Sequence, residues 1–131
     1  AERLPADIEI VDYRDKLMMP GFIDSHVHYV QLDIMASYGR QLLDWLNEAA
    51  DDRVPVVLNA AAWTHYSYAV FDACAQLEAP LVEVHISQPK DRPEEFRHHS
   101  VVTPHAVEVV AGHGVDGYRM ALDVLVEHLG Q

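Results

Sequence analysis

The sequence has few cysteines, few basic residues and no long apolar run, and each of these shortages excludes a class of protein. It contains one cysteine, Cys74, so it forms no internal disulfide and no thiolate metal cluster. Lysine and arginine number 9 against 21 acidic residues. The formal net charge of −12 argues against nucleic acid or an anionic membrane as a partner. No apolar run reaches the length of a membrane span and no signal peptide is visible, so we expect a cytoplasmic protein.

What the sequence does contain predicts a single α/β domain over residues 1–131. Half of its residues are apolar, enough for a folded core at this length. Apolar runs rich in β-branched residues alternate with stretches of helical periodicity. The predicted strands lie at 8–11, 22–28, 54–59, 81–86 and 107–111. The predicted helices lie at 31–50, 67–77 and 117–129, with one helical turn at 94–97. Such alternation indicates a doubly wound parallel sheet covered by helices on both faces.

One stretch, residues 80–100, carries the strongest local indication of a site. An apolar run ends in His85 and Ser87, and a polar loop with Arg92 and Arg97 follows. Ligands bind outside the carboxyl ends of the strands in parallel α/β sheets, which is where these residues are expected. A polar strand end with solvated charges would give the same pattern. Cys74, among small apolar neighbours, is expected to be a buried filler and not a nucleophile. We expect His105, His113 and His128 at the surface.

Four blocks of sequence resemble type II 3-dehydroquinate dehydratases over about residues 43–131. They are Leu-Asn-Ala-Ala-Ala-Trp-Thr-His at 58–65, Glu-Val-His-Ile-Ser at 83–87, Glu-Glu-Phe-Arg-His-His-Ser at 94–100 and Gly-Tyr-Arg at 117–119. The resemblance implies a flavodoxin-like, three-layer α/β/α fold with an atypical N-terminal part. It also implies a cytoplasmic hydro-lyase of the shikimate pathway, which removes water from 3-dehydroquinate to give 3-dehydroshikimate without metal or organic cofactor. The implied assembly is a homo-oligomer built from trimers, up to a dodecamer.

The same resemblance assigns roles to individual residues. His85 matches the general acid that protonates the departing hydroxyl, and Asn59 a second catalytic, substrate-binding residue. The substrate carboxylate would be held by His65 together with Ile86 and Ser87. Arg97 matches an arginine that bonds a ring hydroxyl, and Asp72 an acid contributed across a subunit contact. Glu83 is expected to orient His85 if its side chain shares the histidine's face of the strand.

Residues 4–47 resemble a different family, the guanine deaminases of the amidohydrolase superfamily. The matching text is Pro-Gly-Phe-Ile-Asp-Ser-His-Val-His at 20–28 and Gln-Leu-Leu-Asp-Trp-Leu-Asn at 41–47. His26 and His28 would be metal ligands in that family. A catalytic metal site needs about three protein ligands, so these two histidines are only a weak alternative. The two resemblances meet within residues 43–48, which predicts a chimera of a 1–47 amidohydrolase-like segment and a 48–131 dehydroquinase-like segment.

The first third of the sequence departs from the dehydratase pattern. It shows neither the Asn-Gly-Pro-Asn-Leu-Asn run nor the lid that carries the family's arginine and its basic tyrosine. Tyr38 stands inside a helical pattern and is a poor replacement for that tyrosine. We therefore expect impaired dehydratase activity. Two other possibilities stay open, an inactive chimera and a metal-dependent guanine deaminase fragment.

Overall fold

The structure is a computed structural model, which describes residues 17–18 and 31–130, with side chains from Gly39 onward. Strands and helices alternate along these residues. They are β1 (Leu17–Met18), α1 (Gln31–Asp52), β2 (Val56–Leu58), α2 (Tyr68–Cys74), β3 (Leu81–His85), β4 (Glu108–Ala111) and α3 (Asp116–Leu129). Short 3-10 helices occupy the connections, at Ala61–His65, Pro89–Asp91, Glu95–His98 and Thr103–His105.

The four described strands form one parallel sheet in the order β1-β2-β3-β4. The central strands are runs of valine and leucine that are buried along almost their whole length. That composition is typical of parallel strands covered on both faces. The register pairs Val57 with Val82 and His85 with Ala111, so the strands end close to one another along the same edge. The predicted parallel α/β sheet is confirmed.

Alternate side chains of the sheet enter two separate cores, because neighbouring residues of a strand point to opposite faces. Val56, Leu58 and Leu81 pack with α1 and α2 on one face. Val57, Val82, Val84 and Val110 pack with α3 on the other face. The described residues therefore form three layers, helix, sheet and helix. Their strand order shows no reversal, so a flavodoxin-like order stays a prediction.

The two long helices bury part of their side chains against the sheet. Among the α1 side chains that the structure describes, from Gly39 to Asp52, the buried hydrophobic ones are Leu42, Leu46 and Ala49, and Trp45 is partly buried against the same core. In α3 Leu122 is only 6% exposed. Leu129 is 51% exposed, whereas Leu125 one turn earlier is 1% exposed. Fraying at the last turn explains this difference, since Leu129 is the last residue of the helix.

Several predictions fall outside the described residues. The predicted strands at 8–11 and 22–28 are among them, and with them His26 and His28. Within the described part, β1 at Leu17–Met18 was not predicted, because two residues carry no periodicity. None of the described helices combines the length and hydropathy that crossing a membrane requires.

Candidate active site

The ends of β2 and β3 bring two of the predicted site residues to one edge of the sheet. Asn59 follows the last residue of β2, and His85 is the last residue of β3. His65 ends the 3-10 helix that follows Asn59. The rings of His65 and His85 are nearly parallel, 9° apart, with centroids separated by 6.4 Å. The sequence prediction that these side chains share one site is consistent with this placement.

Asn59 is held in place through both ends of its amide. Its Nδ2 donates to the Tyr118 hydroxyl at 2.9 Å, and its Oδ1 accepts from the backbone N–H of Ala61 at 3.1 Å. Tyr118 stands in the first turn of α3 and so connects the opposite helix layer to the site. No site role was predicted for Tyr118. The Gly-Tyr-Arg block at 117–119 marked it as part of a family pattern, but it did not indicate this contact.

The carboxylate of Glu83 is the most heavily bonded group near His85. Its side chain is only 1% exposed. Its Oε1 accepts three hydrogen bonds, from Thr64 Oγ1 at 2.5 Å, Ser100 Oγ at 2.6 Å and His85 Nε2 at 2.9 Å. Its Oε2 accepts one, from Thr103 Oγ1 at 2.5 Å. Burial by itself would raise the pKa of this carboxyl. The four hydrogen bonds outweigh burial and lower the pKa from 4.5 to about 2, so Glu83 is ionised at neutral pH.

The charge on Glu83 fixes the protonation pattern of His85. An ionised carboxylate only accepts hydrogen bonds, so the nitrogen that faces it must carry a proton. His85 Nε2 is therefore the donor in the 2.9 Å contact with Glu83. Nδ1 is the ring nitrogen left to interact with a ligand, and the side chain remains 11% exposed. Residues two apart on a strand share one face, so the Glu83 side chain lies on the same face as His85, as its expected role in orienting that histidine requires.

His65 is positioned from its other side by the loop after β3. Its Nδ1 lies 2.7 Å from the backbone oxygen of His99, so Nδ1 carries the proton and donates. Phe96 packs edge-on against the same ring with centroids 5.8 Å apart. These contacts leave Nε2 as the free nitrogen of His65, beside the His85 ring.

The turn at Gly112–Gly114 braces the segment that follows β3. The backbone N–H of Gly112 donates to the backbone oxygen of His85, and that of Gly114 to the backbone oxygen of Ile86. Both glycines have positive φ, 84° and 58°, a conformation that other residues adopt at a cost. Ser87, the next residue, is exposed and has no hydrogen-bond partner within the described part of the chain.

Arg97 and Asp72 are not brought to the histidines. The Arg97 Nε pairs with Glu94 Oε2 at 3.2 Å, and its guanidinium lies 4.9 Å from the centroid of the Phe96 ring. Asp72 is exposed on α2. Its predicted role belongs to a contact between subunits, on which one chain gives no information.

The remaining histidines divide between surface and interior. His113 and His128 are exposed, as predicted. The prediction for His105 was wrong: its ring packs edge-on against Phe71 at 4.5 Å, and its Nε2 is buried without a hydrogen-bond partner among the described residues. In the same part of the chain, no group of three His, Cys, Asp or Glu side chains is arranged to hold a metal ion.

Comparisons with known proteins agree with one of the two resemblances. The family model described as Dehydroquinase class II matches residues 23–126. The 3-dehydroquinate dehydratase of Salinispora tropica is 65% identical over 83 residues, which are 63% of this chain and 57% of that protein. The enzyme of the same name from Mycobacterium tuberculosis is 56% identical over 90 residues, 69% of this chain and 60% of that protein. The chain thus spans less than two thirds of the length of these curated relatives.

Solved structures give the same result. A crystal structure of type II dehydroquinase from Propionibacterium acnes matches with a TM-score of 0.63 and 53% identity, over 66% of this chain and 62% of that one. The type II dehydroquinase of Butyrivibrio crossotus matches with a TM-score of 0.61 and 32% identity, over 76% and 80%.

The resemblance of residues 4–47 to guanine deaminases gains no support from these comparisons. The family match begins at residue 23, inside that segment, so it covers residues that the predicted chimera assigns to the other family. Each relative and structure named above is a dehydroquinase.

Proposed function

The chain belongs to the class II dehydroquinase family, and from this membership we propose that it is a type II 3-dehydroquinate dehydratase. The reaction is the cofactor-free elimination of water from 3-dehydroquinate to give 3-dehydroshikimate. The observation that carries the proposal is the pairing of His85 Nε2 with the buried Glu83 carboxylate at 2.9 Å. This pair stands at the carboxyl edge of the sheet, beside Asn59 and His65.

We assign the general acid to His85. After a base removes a proton next to the substrate carbonyl, an enolate forms, and the hydroxyl on the neighbouring carbon must leave. Protonation by His85 lets it leave as water and regenerates the carbonyl conjugated with the new double bond. The negative charge of Glu83, 2.9 Å from Nε2, favours the protonated form of the imidazole that the acid role requires. The proton passes from Nδ1, because Nε2 is held by Glu83.

The substrate carboxylate is assigned to the segment that the glycine turn braces. The donors proposed for it are the Ser87 hydroxyl and the backbone N–H groups of Ile86 and Ser87, with the His65 imidazole lying alongside. Successive backbone N–H groups and a hydroxyl can satisfy both oxygens of one carboxylate. Asn59 is assigned to a substrate hydroxyl, on the side of the site held by Tyr118.

Arg97 would join the proposed site by exchanging its ion-pair partner, and Asp72 by contact with a second subunit. The ion pair between Arg97 and Glu94 is partly exposed, with side chains 35% and 46% accessible. Such pairs contribute little stability, so Arg97 is free to exchange Glu94 for a substrate hydroxyl. Asp72 is assigned to the site of a neighbouring subunit in a trimer-based homo-oligomer, which matches its exposure on α2.

We also propose that turnover is slower than is usual for the family. The sequence has no counterpart of the lid tyrosine that removes the proton. Loss of a general base costs about 10²- to 10⁴-fold in rate. Binding and proton donation use residues 59–97 and are expected to persist.

The test is formation of the enone product, followed by its ultraviolet absorbance with concentrated, folded protein and 3-dehydroquinate. His85→Gln should lower kcat by about 10²-fold or more, because it removes the acid. His128→Gln, at an exposed histidine in the last turn of α3, is the matched control and should keep the parent rate.

Absence of product from the folded parent chain would refute the dehydratase proposal and favour an inactive protein. Equal rates for the parent and His85→Gln would leave dehydration in place but remove His85 from the role of acid.

A further inference from the structure

Three hydroxyl groups surround the Glu83 carboxylate, and none of them has a part in the reaction proposed above. They belong to Thr64, Ser100 and Thr103, which we call the hydroxyl cradle. Thr64 lies in the 3-10 helix after β2, whereas Ser100 and Thr103 come from the segment before β4. The backbone N–H of Val101 donates to the backbone oxygen of Thr64 at 2.7 Å and ties these two segments together.

The direction of the hydrogen bonds in the cradle follows from the donors that are already present. The Ser100 hydroxyl oxygen accepts the backbone N–H groups of Val102 and Thr103, both at 3.0 Å. Its own proton is donated to Glu83 Oε1 at 2.6 Å, and the Thr64 hydroxyl, which lies 2.7 Å from Ser100 Oγ, donates to the same carboxylate oxygen. Thr103 is the donor to Oε2, while Oε1 receives the other three contacts. Removing the Thr103 hydroxyl would leave one oxygen of a buried carboxylate without a donor in the described part of the chain.

We propose that Thr103, together with Ser100 and Thr64, forms a positioning device for His85: the cradle holds Glu83 as a charged acceptor, and Glu83 in turn fixes the proton on His85 Nε2 and presents Nδ1 to the substrate. The inference rests on the proposed function for its kinetic consequence. Its structural consequence, the protonation state of the His85 ring, can be measured without any turnover.

The groups that face the Glu83–His85 pair come from several elements. Beside it in the 3-10 helix after β2 is His65, with its ring stacked 6.4 Å from that of His85. The thiol of Cys74 in α2 feels the Glu83 charge, but burial and this charge keep it protonated. From α3, Tyr118 is bonded to Asn59, and beyond Phe96 the Arg97–Glu94 pair is partly exposed. Glu83 is thus the charged partner that contacts His85.

Thr103 is a suitable place for the test because the residue is exposed while its hydroxyl points inward. Thr103→Val removes the hydroxyl and keeps the shape, and Thr103→Ser restores the hydroxyl. Nitrogen NMR of the full chain, labelled at histidine, reports the tautomer of His85. Without the Thr103 hydroxyl one oxygen of Glu83 loses its donor and the carboxylate holds the ring less firmly, so Thr103→Val should lower the population of the His85 tautomer that is protonated on Nε2. Thr103→Ser should match the parent.

The same variant, Thr103→Val, should also lower kcat. At neutral pH kcat should fall about tenfold or more while KM changes little, since outer partners of a site act mainly through orientation.

A second pair of variants distinguishes a change at His85 from a general loss of stability. Ser100→Ala removes a cradle hydroxyl, and Ser67→Ala removes the hydroxyl that caps α2 by accepting from Val70 at 3.3 Å. Both should lower stability, but only Ser100→Ala should change the His85 tautomer. If Thr103→Val does not fold, the comparison of Ser100→Ala with Ser67→Ala tests the positioning role of the hydroxyl cradle.

The proposal is overturned if the tautomer of His85 in folded Thr103→Val, or in Ser100→Ala, equals that of the parent. If the parent chain gives no enone while the NMR results change as expected, the proposed function fails and the positioning role of the cradle stands.

Discussion

At the scale of single residues, the cysteine shows how burial controls chemistry. The Cys74 side chain lies in the core between α1 and α2, and the residue is 2% exposed. Burial, with a smaller contribution from the nearby Glu83 charge, raises the pKa of its thiol to about 12. The sequence prediction of a buried filler is confirmed.

We therefore expect Cys74 to resist modification. The thiolate is the reactive form, and almost none exists at neutral pH at this pKa. A colourimetric thiol reagent at pH 8 should react about a hundredfold more slowly with the folded protein than with the protein in concentrated urea. Equal rates in the two states would show that the residue is accessible and would contradict its placement in the core.

At the scale of elements, the turn between β4 and α3 needs two glycines because both have positive φ, and Gly112 is further restricted by a close neighbour. Gly114 has positive φ, and a Cβ added there would meet open space, so only the backbone conformation opposes substitution. At Gly112 a Cβ would also approach Gln88 Cβ to 3.4 Å. The turn holds the backbone oxygens of His85 and Ile86, so damage here reaches the site.

Substitutions in this turn should rank accordingly. Gly114→Ala should lower the free energy of unfolding by about 1 kcal/mol, and Gly112→Ala by about 1–2 kcal/mol because of the added contact. Gly114→Asn is the control and should be milder than Gly114→Ala, since asparagine tolerates positive φ better than alanine. Urea unfolding gives the order, and a larger loss for Gly114→Ala than for Gly112→Ala would contradict it.

Much of the element pattern could be predicted, because apolar periodicity within a strand or helix is a local property. The strands at 81–86 and 107–111 and the helix at 117–129 lie within one residue of their observed limits. The 3-10 helix at Ala61–His65 is not among the predicted elements, since so short a helix has no apolar repeat. The burial of Leu122 depends on how α3 crosses the sheet, which a helical wheel does not contain.

The site was predictable only where it lies on strand ends. His85 and Asn59 follow apolar runs, and the topology then requires them to share an edge. The partners that hold them come from distant positions. Thr103 is 20 residues from Glu83, and Tyr118 is 59 residues from Asn59. Contacts at these separations follow from packing of whole elements, and nothing in the local sequence around Thr103 indicates a partner.

At the scale of the whole molecule, one buried carboxylate contributes to the pH dependence of folding. The pKa of Glu83 is about 2 in the folded protein and near 4.5 when exposed. A carboxyl with a depressed pKa adds stability that is fully present above pH 4.5 and is lost as the pH falls towards 2. The difference corresponds to about 3 kcal/mol.

Urea unfolding at intervals between about pH 6 and pH 2.5 should show this loss. Glu83→Gln keeps the shape and lets Thr103 accept where it previously donated, but the variant cannot titrate. Its free energy of unfolding should therefore fall less steeply over this range than that of the parent. Parallel curves for the two proteins would show that Glu83 is already protonated or has an ordinary pKa.

The order of the described strands in the sheet has a consequence for how the chain is made. Each strand pairs with the one that precedes it in the sequence, so a newly synthesised strand finds its neighbour already in place. The sheet can grow strand by strand as the chain leaves the ribosome, with α1 and α2 covering one face on the way. Of the elements that the structure describes, α3 is the one that covers the other face, with Val82 and Val84, and it is the last of them to emerge. A chain halted before α3 would expose that surface and would be the species most in need of a chaperone.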